Sequence, residues 1–245
     1  MTVKTPSLWA GIGMLAVLGT ALAACATPAG SGGTATPEET AAPDVVEVEV
    51  DAAWLDSGRM VGIVTVGSST CVPMAEPATY ADGVLQVTLT EEPDAACTRD
   101  LVPRVTLVDV PDDVDPSQDL EIVVSGETGA GDAYAGETSL DGVDGLVRPT
   151  DTDYLPTAGW TDVDGQFVIL SWGSSSCAPV LEAVEATGPA EVTVTFQTFP
   201  ENQVCTMDMA PRALVAYVDG VDDSDTFAVL QGAEFDNVRI PVYPN

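Results

Sequence analysis

"WLDSGRMVGIVTVGSSTCVP", Trp54 to Pro73, returns as "WTDVDGQFVILSWGSSSCAP", Trp160 to Pro179. Laying Trp54 on Trp160 also aligns "CTRDLVPR" at Cys97 to Arg104 with "CTMDMAPR" at Cys205 to Arg212. Each copy then ends on an acidic loop, a hydrophobic strand and a glycine, Gly126 and Gly232. Similarity at this period is too long for a solenoid unit and fits a duplicated domain.

The strands within the copies read alike. Met60 to Val66 and Phe167 to Trp172 are almost continuously apolar, as strands covered on both faces are. Leu85, Val87 and Leu89 alternate with polar residues, as do Val192, Val194 and Phe196, so these strands have one wet face. Val105 to Val110 and Ala213 to Val218 supply a third strand, and Glu121 to Val124 and Phe227 to Leu230 a fourth. Val45 to Val50 and Val238 to Tyr243 add edge strands, and Trp54, Trp160 and Trp172 are packing residues. The one helical candidate, Val180 to Ala186, manages barely two turns. "GETGAGDAYAGETSLDGVDG", Gly126 to Gly145, reads as a linker or a long loop. The expected fold is all-β: two tandem small antiparallel β-sandwich or barrel domains, residues 45–148 and 149–245, with one disulfide each.

Apart from Cys25, each copy holds two cysteines, Cys71 with Cys97 and Cys177 with Cys205. Four cysteines allow three pairings, and only the pairing within copies suits domains that arose as self-sufficient units. A thiolate metal site fits poorly, because the chain has no histidine and its cysteines lie singly.

The N-terminal segment gives an address. Lys4 precedes an acid-free apolar run from Leu8 through Ala24, the layout of a secretory signal over residues 1–24. Leu22-Ala23-Ala24-Cys25 resembles the lipobox of bacterial lipoproteins, which implies lipidation of Cys25 and anchorage on the extracytoplasmic face of the cell membrane. Two or more acyl chains, at about 0.8 kcal/mol per buried methylene, hold a soluble domain where one chain does not. Residues 25–44 have no side chain able to build a core and are expected to form a disordered tether. All 39 acids and only six basic residues, every one arginine, follow Cys25. That balance disfavours nucleic acid as a partner and adsorption to anionic headgroups. It leaves the membrane, through the lipid, and an unidentified envelope or protein ligand.

Catalytic chemistry has little to draw on. Without histidine there is no Ser-His-Asp or Cys-His arrangement, and without lysine beyond Lys4 no Ser-Lys dyad or Schiff base, so the chain reads as non-enzymatic. No cofactor is expected except, as an alternative, calcium at Asp112, Asp113 and Asp115 and at Asp222, Asp223 and Asp225. Neither cluster has the calcium-loop register, and aspartate forms turns by capping its own backbone, so solvated turns are the favoured reading. The GSSTCVP and GSSSCAP turns read as structural corners. The segments after Cys97 and Cys205 are locally similar to the reactive loop of subtilisin-inhibitor-like proteins. That resemblance implies Arg99 and Met207 as specificity residues, with Asp100 and Asp208 across the scissile bond. It covers about a dozen residues per copy. It departs from the family because the cysteine partner, Cys71 or Cys177, lies upstream.

Overall fold

The computed structural model describes residues 45–221 and 225–245. The signal and lipobox segment with Cys25, the tether, and the Asp222 and Asp223 positions lie outside the described residues. In chain order the first copy contributes β1 (Val46–Glu47), β2 (Asp51–Leu55), β3 (Met60–Gly67), β4 (Met74–Ala75), β5 (Thr79–Ala81) and β6 (Val84–Thr90). It continues with β7 (Val102–Asp109), β8 (Leu120–Glu127) and β9 (Ala133–Leu140). The second contributes β10 (Thr157–Trp160), β11 (Gln166–Gly173), β12 (Leu181–Gly188) and β13 (Glu191–Phe196). It ends with β14 (Ala210–Tyr217), β15 (Phe227–Gly232) and β16 (Phe235–Tyr243).

The fold is all-β. β2-β3-β7 form one antiparallel sheet, and β1-β9-β8-β6-β4 form a second, with β5 beside β6. In the second copy the counterparts β10-β11-β14 and β12-β13-β15-β16 are joined into one seven-stranded sheet where β10 runs parallel to β16. The pairing is mixed, which corrects the antiparallel expectation: β6 runs parallel to β8, and β13 to β15. Parallel neighbours need a crossover connection. Here β7 and β14 supply it: β7, between β6 and β8 in the chain, pairs with β3 in the other sheet, and β14, between β13 and β15, pairs with β11 at the far edge of the seven-stranded sheet.

The copies do not stand as two separate sandwiches or barrels. One core, with Trp54, Ile63, Leu85, Leu89, Ile122 and Leu140, fills the first copy, and another, with Trp160, Phe167, Ile169, Val194, Phe196 and Leu230, fills the second. A third joins them: Ala53, Leu55, Met60 and Val64 pack against Val168 and Leu170. The sheets are therefore stacked in layers, with β2 lying on β10 and β7 on β14. At roughly 1.5–3 kcal/mol per fully buried aliphatic side chain, the third core is worth about as much as the net stability of a domain. This is also why β3 and β11 are almost continuously apolar, interrupted by Thr65 in β3 and by Gln166 and Ser171 in β11: nearly every position of each is buried.

The stacking is close. A Cβ on Gly159 would lie 2.3 Å from the Trp54 carbonyl oxygen, so only glycine fits where β10 crosses β2. The Asp56 N–H donates to Thr157 Oγ1 at 2.9 Å, placing the end of β2 at the start of β10. The two strands thus run in opposite directions across the interface. A Cβ on Gly159 would also lie 3.3 Å from Ala53 Cβ, and one on Gly62 would lie 3.2 Å from Val168 Cγ1. Ala53 aligns with Gly159, and Gly62 with Val168, so corresponding positions touch each other, as a local twofold relation requires.

Two segments differ from the sequence reading. Val180 to Ala186 is no helix: most of it lies in β12, hydrogen-bonded to β13, because seven residues nucleate a helix poorly while β13 offers an open ladder. The glycine-rich stretch after Gly126 contains β9, which pairs with β8 from Glu127–Ala133 to Leu120–Leu140.

Candidate functional site

The two ends of each disulfide meet at one corner. Cys71 pairs with Cys97 and Cys177 with Cys205, each with Cα atoms 5.6 Å apart. In the first copy β3 delivers the turn Ser68–Cys71, and the segment before β7 delivers Thr98–Asp100. Thr98 is the hub. Its hydroxyl lies 2.8 Å from Ser68 Oγ, 3.4 Å from Ser69 Oγ and 3.2 Å from Thr70 Oγ1, and it donates to Asp100 Oδ1. The Thr98 N–H donates to Thr70 Oγ1 at 3.0 Å, and the Ser69 N–H to Asp100 Oδ1 at 3.3 Å.

The same network recurs at the second corner. Thr206 reaches Ser174 at 2.8 Å, Ser175 at 3.4 Å and Ser176 at 3.3 Å, and donates to Asp208 Oδ1, which also accepts the Ser175 N–H at 3.1 Å. Hydrogen bonds from Ser69 and Thr98 lower the Asp100 pKa to about 2, and those from Ser175 and Thr206 do the same for Asp208, also to about 2. The network thereby fastens the turn after β3 or β11 to the segment before β7 or β14.

An arginine locks each corner from beneath. Arg104 donates to the Cys71 carbonyl and, at 2.6 Å, to Glu91 Oε1, while Arg212 donates to the Cys177 carbonyl at 2.9 Å and to Glu234. A Cβ on Gly67 would fall 2.4 Å from Arg104 Cζ, so this glycine serves the guanidinium's passage. Of the five residues shared by CTRDLVPR and CTMDMAPR, four have such partners: the cysteine in the disulfide, threonine and aspartate in the network, arginine on the turn. The carboxylates Glu91 and Glu234 escaped sequence reasoning, because they come from non-corresponding places, the end of β6 and the β15–β16 turn.

Between these fixed points the side chains are free. Arg99 is exposed and makes no hydrogen bond or ion pair among the described residues. Met207 is fully exposed, and Leu101, Val204 and Met209 are 80%, 91% and 58% exposed. Each loop therefore presents large side chains that differ between copies on a frame that does not. Beside the first loop lies a cavity of about 740 Å³ lined by Val46, Val66, Leu101, Arg104 and Tyr134. The Tyr134 hydroxyl is buried there without a hydrogen-bond partner, and burial raises its pKa.

The acidic positions behave differently. Asp112 pairs with Arg148 at 3.2 Å, and Asp115 accepts from the Ser117 N–H at 3.0 Å and its hydroxyl at 2.7 Å, which lower its pKa. Asp113 and Asp225 are exposed, Asp225 with φ at 56°. Among the described residues no group of three or more His, Cys, Asp or Glu is placed to hold a metal ion. No protein-family model, no curated protein and no solved structure matches this chain.

Proposed function

We propose that the chain is a lipid-anchored, extracytoplasmic, non-enzymatic binding or envelope-structural protein, and that its contact surface is the pair of clamped loops at Arg99 to Leu101 and Met207 to Met209. The observation that carries this reading is the exposure of Arg99, Leu101, Met207 and Met209 between residues held by a disulfide, a hydroxyl network and an arginine. A loop stiffened before binding loses little entropy on contact, so its exposed groups contribute more of their interaction energy to affinity. A photo-crosslinking residue at position 99 or 207 of the full chain is expected to give a discrete adduct in intact envelopes. The same residue at exposed Val147 is expected to give none, and equal patterns at all three positions would sink the idea. Cys25→Ser is expected to move the protein from the membrane to the soluble fraction, and retention in the membrane would remove the anchor.

The second reading is a protease inhibitor using the same loops. It is favoured by Arg99 and Met207 each standing exposed between a bonded threonine and a bonded aspartate. Incubation with trypsin-like and subtilisin-like proteases is expected to give inhibition that Arg99→Ala or Met207→Ala abolishes. Rapid cleavage after Arg99 without inhibition excludes this reading.

A further inference from the structure

The two clamped loops share a frame but not a chemistry. By the alignment of CTRDLVPR with CTMDMAPR, Met207 and Met209 stand where the first loop has Arg99 and Leu101. Thr206 and Asp208 are bonded to the corner, so the alternate side chains Met207 and Met209 are left outside it, the first fully exposed and the second 58% exposed. Val204, on the other side of Cys205, is 91% exposed. The outer surface of the second loop is thus apolar and carries two thioether sulfurs two residues apart. The first loop carries none.

Among the exposed side chains of the two loops, a thioether reacts with a peroxide, whereas a guanidinium and a leucine side chain do not. The sulfur lone pair takes one oxygen of hydrogen peroxide: the O–O bond breaks, an S–O bond forms, the sulfur is oxidised by two electrons, and the oxidant is reduced to water. Access to the sulfur decides the rate. Met60 supplies the contrast, because it is 8% exposed and lies in the third core with Leu55 and Leu170. The frame of the loop does not involve either thioether. The Cys177–Cys205 disulfide, the bond from Thr206 to Asp208 and the Arg212 guanidinium on the Cys177 carbonyl hold it through other atoms. Oxidation therefore leaves the course of the loop as it is and changes what the loop offers: a flexible apolar side chain becomes polar and chiral.

We propose that Met207 and Met209 form an oxidation site, at which a peroxide turns the contact surface of the second loop from apolar to polar and leaves that of the first loop unchanged. The oxidised chain keeps the Arg99 loop and loses the Met207 loop, so it binds through one surface instead of two. The two disulfides suit an oxidising compartment, where such a group meets peroxides. The loss of contact rests on the reading of this loop as a binding surface; the oxidation itself does not.

The test uses the full chain in detergent, with Met74→Leu throughout because Met74 is 66% exposed on β4. Hydrogen peroxide is added, then destroyed with catalase before any partner is present, and oxygen uptake is followed residue by residue by peptide mass spectrometry. Met207 and Met209 are expected to gain one oxygen each about tenfold or more faster than Met60. Melting temperature and both disulfides should stay as they were. The treated chain is then mixed with intact envelopes, with a photo-crosslinking residue at position 204 or at position 99. The adduct from position 204 should weaken about tenfold, as burial of a polar group without a partner does, and the adduct from position 99 should not change. Met207→Leu with Met209→Leu keeps both side chains apolar, and should keep the position-204 adduct and make it indifferent to peroxide. Oxidation of Met207 and Met209 no faster than that of Met60 overturns the proposal, as does an undiminished position-204 adduct once both sulfurs carry oxygen. An untreated chain with no adduct from position 204 would remove the loop as a contact surface, and the switch with it, while the oxidation rates are read without any partner.

Discussion

One hydroxyl at each corner, that of Thr98 or Thr206, gathers three neighbours and an aspartate, and the aspartate carries the pH signature of the fold. Asp100 and Asp208 sit near a pKa of about 2 in the folded chain, below the ordinary carboxylate value of 3.8. A carboxyl group with a depressed folded pKa contributes stability that is present above its unfolded pKa and lost as pH falls through the folded one. Melting temperature is therefore expected to fall between about pH 4 and pH 2. The double variant Asp100→Asn with Asp208→Asn should flatten that limb, and an unchanged profile would show the two groups to be uncoupled from folding. Thr98→Val removes the donor to Asp100 and should raise its pKa alone, which an NMR titration resolves from that of Asp208.

At the scale of elements, legibility followed the size of the inward side chains. β3 and β11 could be placed from Met60 to Val66 and Phe167 to Trp172 because a strand buried on both faces is apolar almost throughout, each run carrying a single small hydroxyl residue, Thr65 or Ser171. β9 was hidden because its inward face is built from Tyr134, Gly136 and Leu140, with glycine in the middle. A Cβ on Gly136 would lie 2.6 Å from the Val48 carbonyl, so the residue that makes room for the neighbouring chain also erases the alternation. The corner was half legible: the paired cysteines and the GSSTCVP and GSSSCAP turns announced it, but the hydroxyl network around Thr98 went unread, and the role of Arg104 depends on Glu91, whose link to it no local pattern encodes. Gly159 was unremarkable in sequence and is among the least replaceable residues in space. Gly159→Ala puts a carbon 2.3 Å from the Trp54 oxygen, and should cost about 1–3 kcal/mol, the range for overpacking, in chemical denaturation. A neutral result would mean that β10 and β2 separate readily.

For the whole molecule, the third core couples the copies. Because Leu55, Val64, Val168 and Leu170 are buried only by the stacking of one copy on the other, calorimetry is expected to record a single transition. Val168→Asp, which puts an unpaired charge among them, should lower that transition for both copies together or split it in two; a wild-type chain already melting in two steps would contradict the coupling. The opposed directions of β2 and β10 have a further result. β3 is antiparallel to β2 and to β7, and the same holds for their counterparts, so β7 and β14 also run oppositely across the interface. The disulfide loops precede those two strands and so leave the stack toward opposite ends. They cannot grip one small epitope like a pair of tongs. A chain that binds through both becomes a bridge between two separate partners, its avidity set by how those partners are spaced.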